Sequence, residues 1–114
     1  MAPVRASIDT LVITRIAASI VAQNKFVTFA DAQAVLNDPV LGVSKLDATA
    51  GDALPVTVLG GVDMTAGGPI AKGDQVVSDA NGNPIAKGAN TNVAGRALNA
   101  AAANERVFIL LISR

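Results

Sequence analysis

The residues of this chain that are able to do chemistry are few and poorly placed for it. Asp47 and Asp52 share one loop, and Glu105 is the single glutamate. A carboxylate pair works as general acid and base only where the surroundings hold one member protonated. With 3 Phe and neither Trp nor Tyr, there is little from which to build an apolar pocket that would do so. Ser7, Ser19, Ser44, Ser78 and Ser113 have no histidine to activate them, because the chain has none. No spacing points to a lysine in that role. Cysteine is absent too, which removes disulfides, thiol nucleophiles and the usual zinc ligands. The expectation is a protein with no catalytic residues, no cofactor and no metal site.

Two stretches imitate functional motifs. Gly68-Pro-Ile-Ala-Lys-Gly73 has the glycine spacing of a phosphate-binding loop. Asp74 stands where that motif requires lysine, and its charge would repel a nucleotide. Asp79-Ala-Asn-Gly-Asn83 has the oxygen-rich start of a calcium loop, but Pro84 takes the place of the required glycine and Asn90 that of the closing glutamate. A turn is the simpler reading. Arg96, in NVAGRAL, is the one charge placed mid-strand among small residues. Strand alternation permits an outward, solvated arginine there. The sharper alternative is a subunit-interface ion pair with a carboxylate such as Glu105.

Composition narrows the class further. At 114 residues the chain is one domain in size, 51% hydrophobic, with alanine and valine supplying most of that fraction. Such a core lacks bulky anchors, and association with further copies of the chain is one source of stability. Nine cations balance nine anions without blocks of either sign, which argues against a footprint for nucleic acid or an anionic membrane. LVITRIAASIVA, residues 11–22, is interrupted by Arg15 and preceded by Asp9, against a secretory leader. VFILLI, residues 107–112, is far too short to span a bilayer as a helix. The reading is a soluble protein.

The elements that must position these residues read as β-strands. KFVTF (25–29), PVLGV (39–43), LPVTVLG (54–60), DQVVSD (74–79), NPIAKG (83–88), NVAGRAL (92–98) and RVFILLIS (106–113) are short apolar runs bounded by Gly, Pro, Asn and Asp. Asn81-Gly82 between Val76-Val77 and Ile85 is a hairpin signal, since both residues tolerate positive φ. At most one helical turn is expected, at ADAQAVLN (30–37) or NAAAAN (99–104). VFILLI lacks alternation and is expected to be covered on both faces, with another subunit as a candidate second cover. Residues 1–18 mix helical and strand periods. They are either an arm shaped by a partner or an ordinary edge strand, and are set apart here from a β-rich domain over 19–114.

The chain also echoes itself. VLGVSKLDATAGDALPVTVL (40–59) aligns with VAGRALNAAAANERVFILLI (93–112) without a gap, matching Gly42 to Gly95, Ala48 to Ala101 and Asp52 to Glu105. SIVAQNKFVTFAD (19–31) aligns with GPIAKGDQVVSDAN (68–81) at a slightly shorter offset. Two similar β-modules joined through GGVDMTAGG (60–68) give a compact barrel or sandwich of short strands, mainly β in class.

GGPIAKGDQVVSDANGNPIAKG followed by VAGRALNAAAANERVFILLI resembles the capsid cement, or head decoration, proteins of tailed bacteriophages. The family pattern A-G-G-x-I-x-x-G-D-x-V-x-x-D-x-x-G is met by Ala66-Gly67-Gly68, Ile70, Gly73-Asp74, Val76, Asp79 and Gly82. Its continuation V-x-G-x-A-L-x-A-A is met by Val93, Gly95, Ala97-Leu98 and Ala100-Ala101. PVLGVSKLDATAGDALPVTVLGG (39–61) resembles the upstream part, so the likeness covers residues 25–113. Asn104 stands where the family has glycine, and asparagine is the next-best residue for positive φ.

The resemblance implies a β-rich structural protein, commonly a homotrimer, on the outside of the mature head, with the major capsid protein as its partner. It implies clamping of neighbouring shell subunits without catalysis, nucleic acid or membrane. Under it, Val4, Arg5, Ile8 and Leu11 of the arm are the candidate capsid-binding residues, and Arg96 and Glu105 the candidate subunit-interface residues. A β-rich carbohydrate- or host-surface-binding module is the second reading, weakened by the scarcity of aromatic platforms. A small hydrolase would need a pocket that displaces a pKa, for which this composition gives little material.

Overall fold

The structure, a computed structural model, describes residues 8–111, and these form eight strands with no helix. In chain order they are β1 (Ile8–Ile16), β2 (Phe26–Thr28), β3 (Val40–Ser44), β4 (Ala53–Thr65), β5 (Gln75–Ser78), β6 (Pro84–Ala86), β7 (Gly95–Ala97) and β8 (Arg106–Leu111). All seven apolar runs become strands, and neither alanine-rich stretch becomes a helix. β5 and β6 pair as the Asn81-Gly82 hairpin, but only Gly82 takes a positive φ, of 77°.

One expectation needs correcting. GGVDMTAGG is not a connection: residues 60–65 continue β4, which runs for 13 residues. Gly60, at φ 121°, lets the strand pass from one module to the other without a turn.

The sheet runs β2-β3-β4-β8-β7-β5-β6, with β1 attached to β4. Val56 and Thr57 of β4 pair with Ile13 and Val12 of β1 and also with Ser44 and Val43 of β3. Gly60 and Gly61 pair with Asp9 and Ile8 and also with Leu111 and Leu110. A residue has one partner per edge, so β1 occupies one edge of β4 while β3 and β8 share the other. The sheet then curls nearly shut. Phe26 N–H donates to the Gly82 carbonyl at 2.9 Å, and Gln33 Nε2 donates to the Asn81 carbonyl at 3.0 Å, bringing β2 to the β5–β6 turn. Asn37 ties the same seam: its Oδ1 accepts from Thr91 and Asn92 N–H at 3.0 and 2.9 Å.

Inside the barrel lie Phe26, Val43, Val62, Met64, Ile70, Val76, Val107, Ile109 and Leu111, with Ala94, Ala97 and Ala101 filling between them. A second cluster, Ala17, Val21, Val27, Ala48, Leu54 and Val56, packs on the outer face of the first half of the sheet. Ile13, Leu41 and Val58 lean on it half-buried. Each fully buried Val or Leu contributes about 1.5–3 kcal/mol, so a core made of many such side chains suffices without tryptophan.

The echo in the sequence is an echo in space. β3 meets β4 as Val43–Thr57 and Ser44–Val56, and β7 meets β8 as Arg96–Leu110 and Ala97–Ile109, the aligned positions in each case. The isolated bridge Val21–Ala48 repeats as Ile70–Ala101. Positive φ recurs at Asn24 and Gly73, and at Gly51 and Asn104. The β1–β4 pairing from Val12–Thr57 to Ile16–Ala53 repeats between β4 and β8 from Gly61–Leu110 to Thr65–Arg106. β4 therefore serves both modules, ending the first (residues 8–59) and beginning the second (60–111).

Candidate binding surfaces

Of the acidic side chains, four close turns, while Asp47 Oδ1 accepts from Gln23 N–H at 2.7 Å and the buried Asp63 meets Arg106 Nη1 at 3.4 Å. Asp52 Oδ2 accepts from Thr49 N–H at 3.0 Å, Asp38 Oδ2 from Val35 N–H at 3.0 Å and Asp74 Oδ2 from Ala71 N–H at 3.0 Å. Glu105 Oε1 accepts from Ala102 N–H at 2.7 Å. In each case the acidic residue's own N–H donates back to the carbonyl three residues earlier. This reciprocal lock satisfies backbone groups that a tight turn leaves orphaned. The spacing was visible in TAGD, AKGD, VLND and AANE, and the sequence reading missed it.

The motif look-alikes are thereby accounted for. An amide of the phosphate-loop imitation, Ala71 N–H, is already held by Asp74. The would-be calcium ligand Asp79 takes Asn81 and Asn83 N–H on Oδ1 at 2.7 and 2.9 Å. Among the described residues, no cluster of three or more acidic, His or Cys groups could hold a metal.

Two carboxyls are held below their usual range. Asp31 accepts two hydrogen bonds from Arg15, Nε to Oδ1 at 2.7 Å and Nη2 to Oδ2 at 3.1 Å, and the hydrogen bond outweighs the charge attraction in lowering its pKa. Asp52 is lowered chiefly by the Thr49 backbone N–H and then by the Thr49 hydroxyl. Folded-state values below an unfolded value of about 3.9 mean that the stabilisation is complete above that pH and is lost as pH falls through the folded values. The urea midpoint should stay flat from pH 7 to about 4 and drop below it. Asp52→Asn, measured by the same titration, should flatten the drop while lowering the midpoint at pH 7.

The exposed apolar side chains are unevenly divided between the modules. Among the described residues, ten large apolar side chains are exposed, eight of them in the first module: Leu11, Val12, Ile16, Ile20, Phe29, Val35, Leu36 and Leu46. The other two, Leu98 and Leu110, belong to the second. The repeat acts as an internal control: Ile16, Ile20 and Leu46 correspond to Thr65, Pro69 and Asn99 on an equivalent backbone. The fold does not require aliphatic residues there. Beside Ile20 an open cleft of about 240 Å³ runs between residues 20–22 and 47–52.

The named candidates fall as follows. Val4 and Arg5 lie outside the described residues. Ile8 opens β1 opposite Gly61, and Leu11 is about half exposed on the same strand. No described strand pairs with the far edge of β1. Arg96 projects outward from β7, donating through Nη1 to the Gly73 carbonyl at 3.3 Å. Within one chain it does not meet Glu105, which closes its own turn. β8 also departs from expectation. Val107, Ile109 and Leu111 are buried, while Leu110 is 42% exposed, so this strand is covered on one face within the chain. Phe108 lies over Gly61 on the outer face, where a Cβ would stand 2.7 Å from the ring.

The described residues thus make a nearly closed antiparallel β-barrel with several large aliphatic side chains exposed on its first module. The chain belongs to the phage cement protein family, whose model matches residues 5–112. Among solved structures it is similar to the N base of the head fibre gp8.5 of bacteriophage phi29, with a TM-score of 0.72 at 19% identity, covering 90% of this chain and 93% of that one. No curated protein matches the chain. Cement proteins are components of the virion head at its outer surface, and membership gives this chain that location.

Proposed function

We propose that this protein is a non-catalytic capsid stabiliser that binds the major capsid protein on the outside of the mature head and clamps neighbouring shell subunits. The observation that carries the reading is the partition of the surface. Asp52 and Glu105 are locked into their own turns, whereas Ile16, Ile20 and Leu46 stand exposed where the duplicate module does without an aliphatic side chain. Exposed aliphatic residues concentrated in one module suit a surface that docks.

The working form is a homotrimer. Three copies engaging several shell subunits multiply modest contacts through effective concentration, each further tethered contact raising avidity by about a hundredfold or more. Val4, Arg5, Ile8 and Leu11 of the N-terminal arm are assigned to the shell, and Arg96 and Glu105 to the contact between copies. Mixing the protein with bare expanded heads and with unexpanded precursors tests the reading. Saturable binding to expanded heads supports it, and the absence of binding to either form contradicts it.

A further inference from the structure

The internal duplication exposes a contact that one chain leaves unmade. This inference rests on the reading that the protein works as an assembly of identical copies. Toward the barrel interior the first module turns Phe26, Val43 and Thr57, all buried. Their counterparts in the second module are Gln75, Arg96 and Leu110. These point out of the barrel, where Leu110, Leu98 and Arg96 stand exposed. The converse holds as well. Val62, Ala94, Ile109 and Leu111 of the second module are sealed inside the barrel. Their counterparts Ile13, Leu41, Val56 and Val58 form the outer cluster of the first module, and Ile13, Leu41 and Val58 are only half-buried there. Each module therefore has two packing faces, and one chain joins only one face of each.

We infer that a second copy makes the missing contact: the Ile13–Leu41–Val58 face of one copy covers the Arg96–Leu98–Leu110 face of the next. The packing that joins the modules within a chain is then repeated between chains. Such a contact uses two different faces, so it is head-to-tail, the kind that builds a ring when the rotation between copies closes. The faces also match in chemistry. Both are apolar at their centre, and the first module carries five aspartates against three cations, whereas the second is balanced. The place of Arg96 is that of Val43 in the first module, and a charge there keeps the face soluble before assembly. The outward, non-alternating side of β8 receives its cover in this way.

The register of the contact follows from the duplicate. Val43, Thr57 and Val62 line one small cavity of about 110 Å³ where the modules meet. Their counterparts are Arg96, Leu110 and Ile13, which brings Leu110 of one copy to Ile13 of the next.

Because the chain has no cysteine, single-cysteine variants report this directly. Ile13→Cys and Leu110→Cys, made with tags of different mass, are unfolded together, refolded and oxidised, in solution and on expanded heads. The Ile13–Leu110 cross-link should exceed any Leu110–Leu110 link at least tenfold in both settings. Leu110→Glu should convert the sedimenting oligomer to monomer with an unchanged β-sheet spectrum. Leu110 linking to itself would mean two-fold pairing, and Leu110 linking only to the shell protein would make this the capsid face. Either result overturns the inference, as does the absence of every link. Shell binding is scored separately in the same samples. Copies that link head-to-tail but ignore expanded heads would defeat the cement reading and leave the contact standing.

Discussion

Gly42→Ala and Gly95→Ala should each cost about 3 kcal/mol of folding stability, and nearly the same amount as each other. Both glycines sit where a short strand crosses close to a long one. A Cβ on Gly42 would overlap the Thr57 carbonyl oxygen and stand 2.8 Å from Val56 Cγ1. On Gly95 it would overlap the Leu110 carbonyl oxygen and stand 3.0 Å from Ile109 Cγ2. The obstacle in each case is backbone held in sheet pairing, which cannot swing aside as a side chain can. The two sites are duplicates, so the two losses should agree. Gly51→Asn is the control. Gly51 has φ +91° with nothing within 4 Å of a Cβ, and its counterpart Asn104 already holds φ 69°. That substitution should cost about 1 kcal/mol or less, since asparagine visits this region most readily after glycine. Urea unfolding at pH 7 measures all three. A Gly42→Ala loss below about 1 kcal/mol would contradict the close approach of β3 to β4.

The second large effect concerns binding. Deleting residues 2–7 should weaken attachment to expanded heads about a hundredfold while leaving the oligomer and its unfolding midpoint unchanged. The deletion stops before Ile8 and Asp9 because these pair with Gly61 and Gly60, so that β1 keeps its place. It removes Val4 and Arg5 from every copy at once, and loss of one contact per copy is amplified by multivalency. Leu11→Ser, which keeps the strand and removes one exposed aliphatic side chain, should give a smaller loss in the same assay. Equal affinity for the truncated and full chains, with the oligomer intact, would remove the arm from the mechanism.

Much of this architecture was legible because turn residues punctuate the chain so heavily. Asn81-Gly82 marked a strand limit, and the glycines at 42 and 95 marked the repeat. GGVDMTAGG misled for a physical reason. A glycine pair reads as a stop, yet Gly60 and Gly61 let β4 carry partners on both edges, and Phe108 takes the space over Gly61. VFILLI lacks alternation in sequence, yet within one chain its strand buries Val107, Ile109 and Leu111 and leaves Leu110 exposed. The fate of Glu105 depended on a backbone amide three residues away, which hydrophobic periodicity does not report. The exposed apolar half became meaningful only when the second module supplied its polar counterpart.

Heat disruption of DNA-filled heads, followed by dye access to the released DNA, tests the clamp most directly. Heads saturated with this protein should release their DNA several degrees higher than bare heads, in proportion to occupancy. Full occupancy with an unshifted release temperature would show that the protein decorates the shell without bracing it.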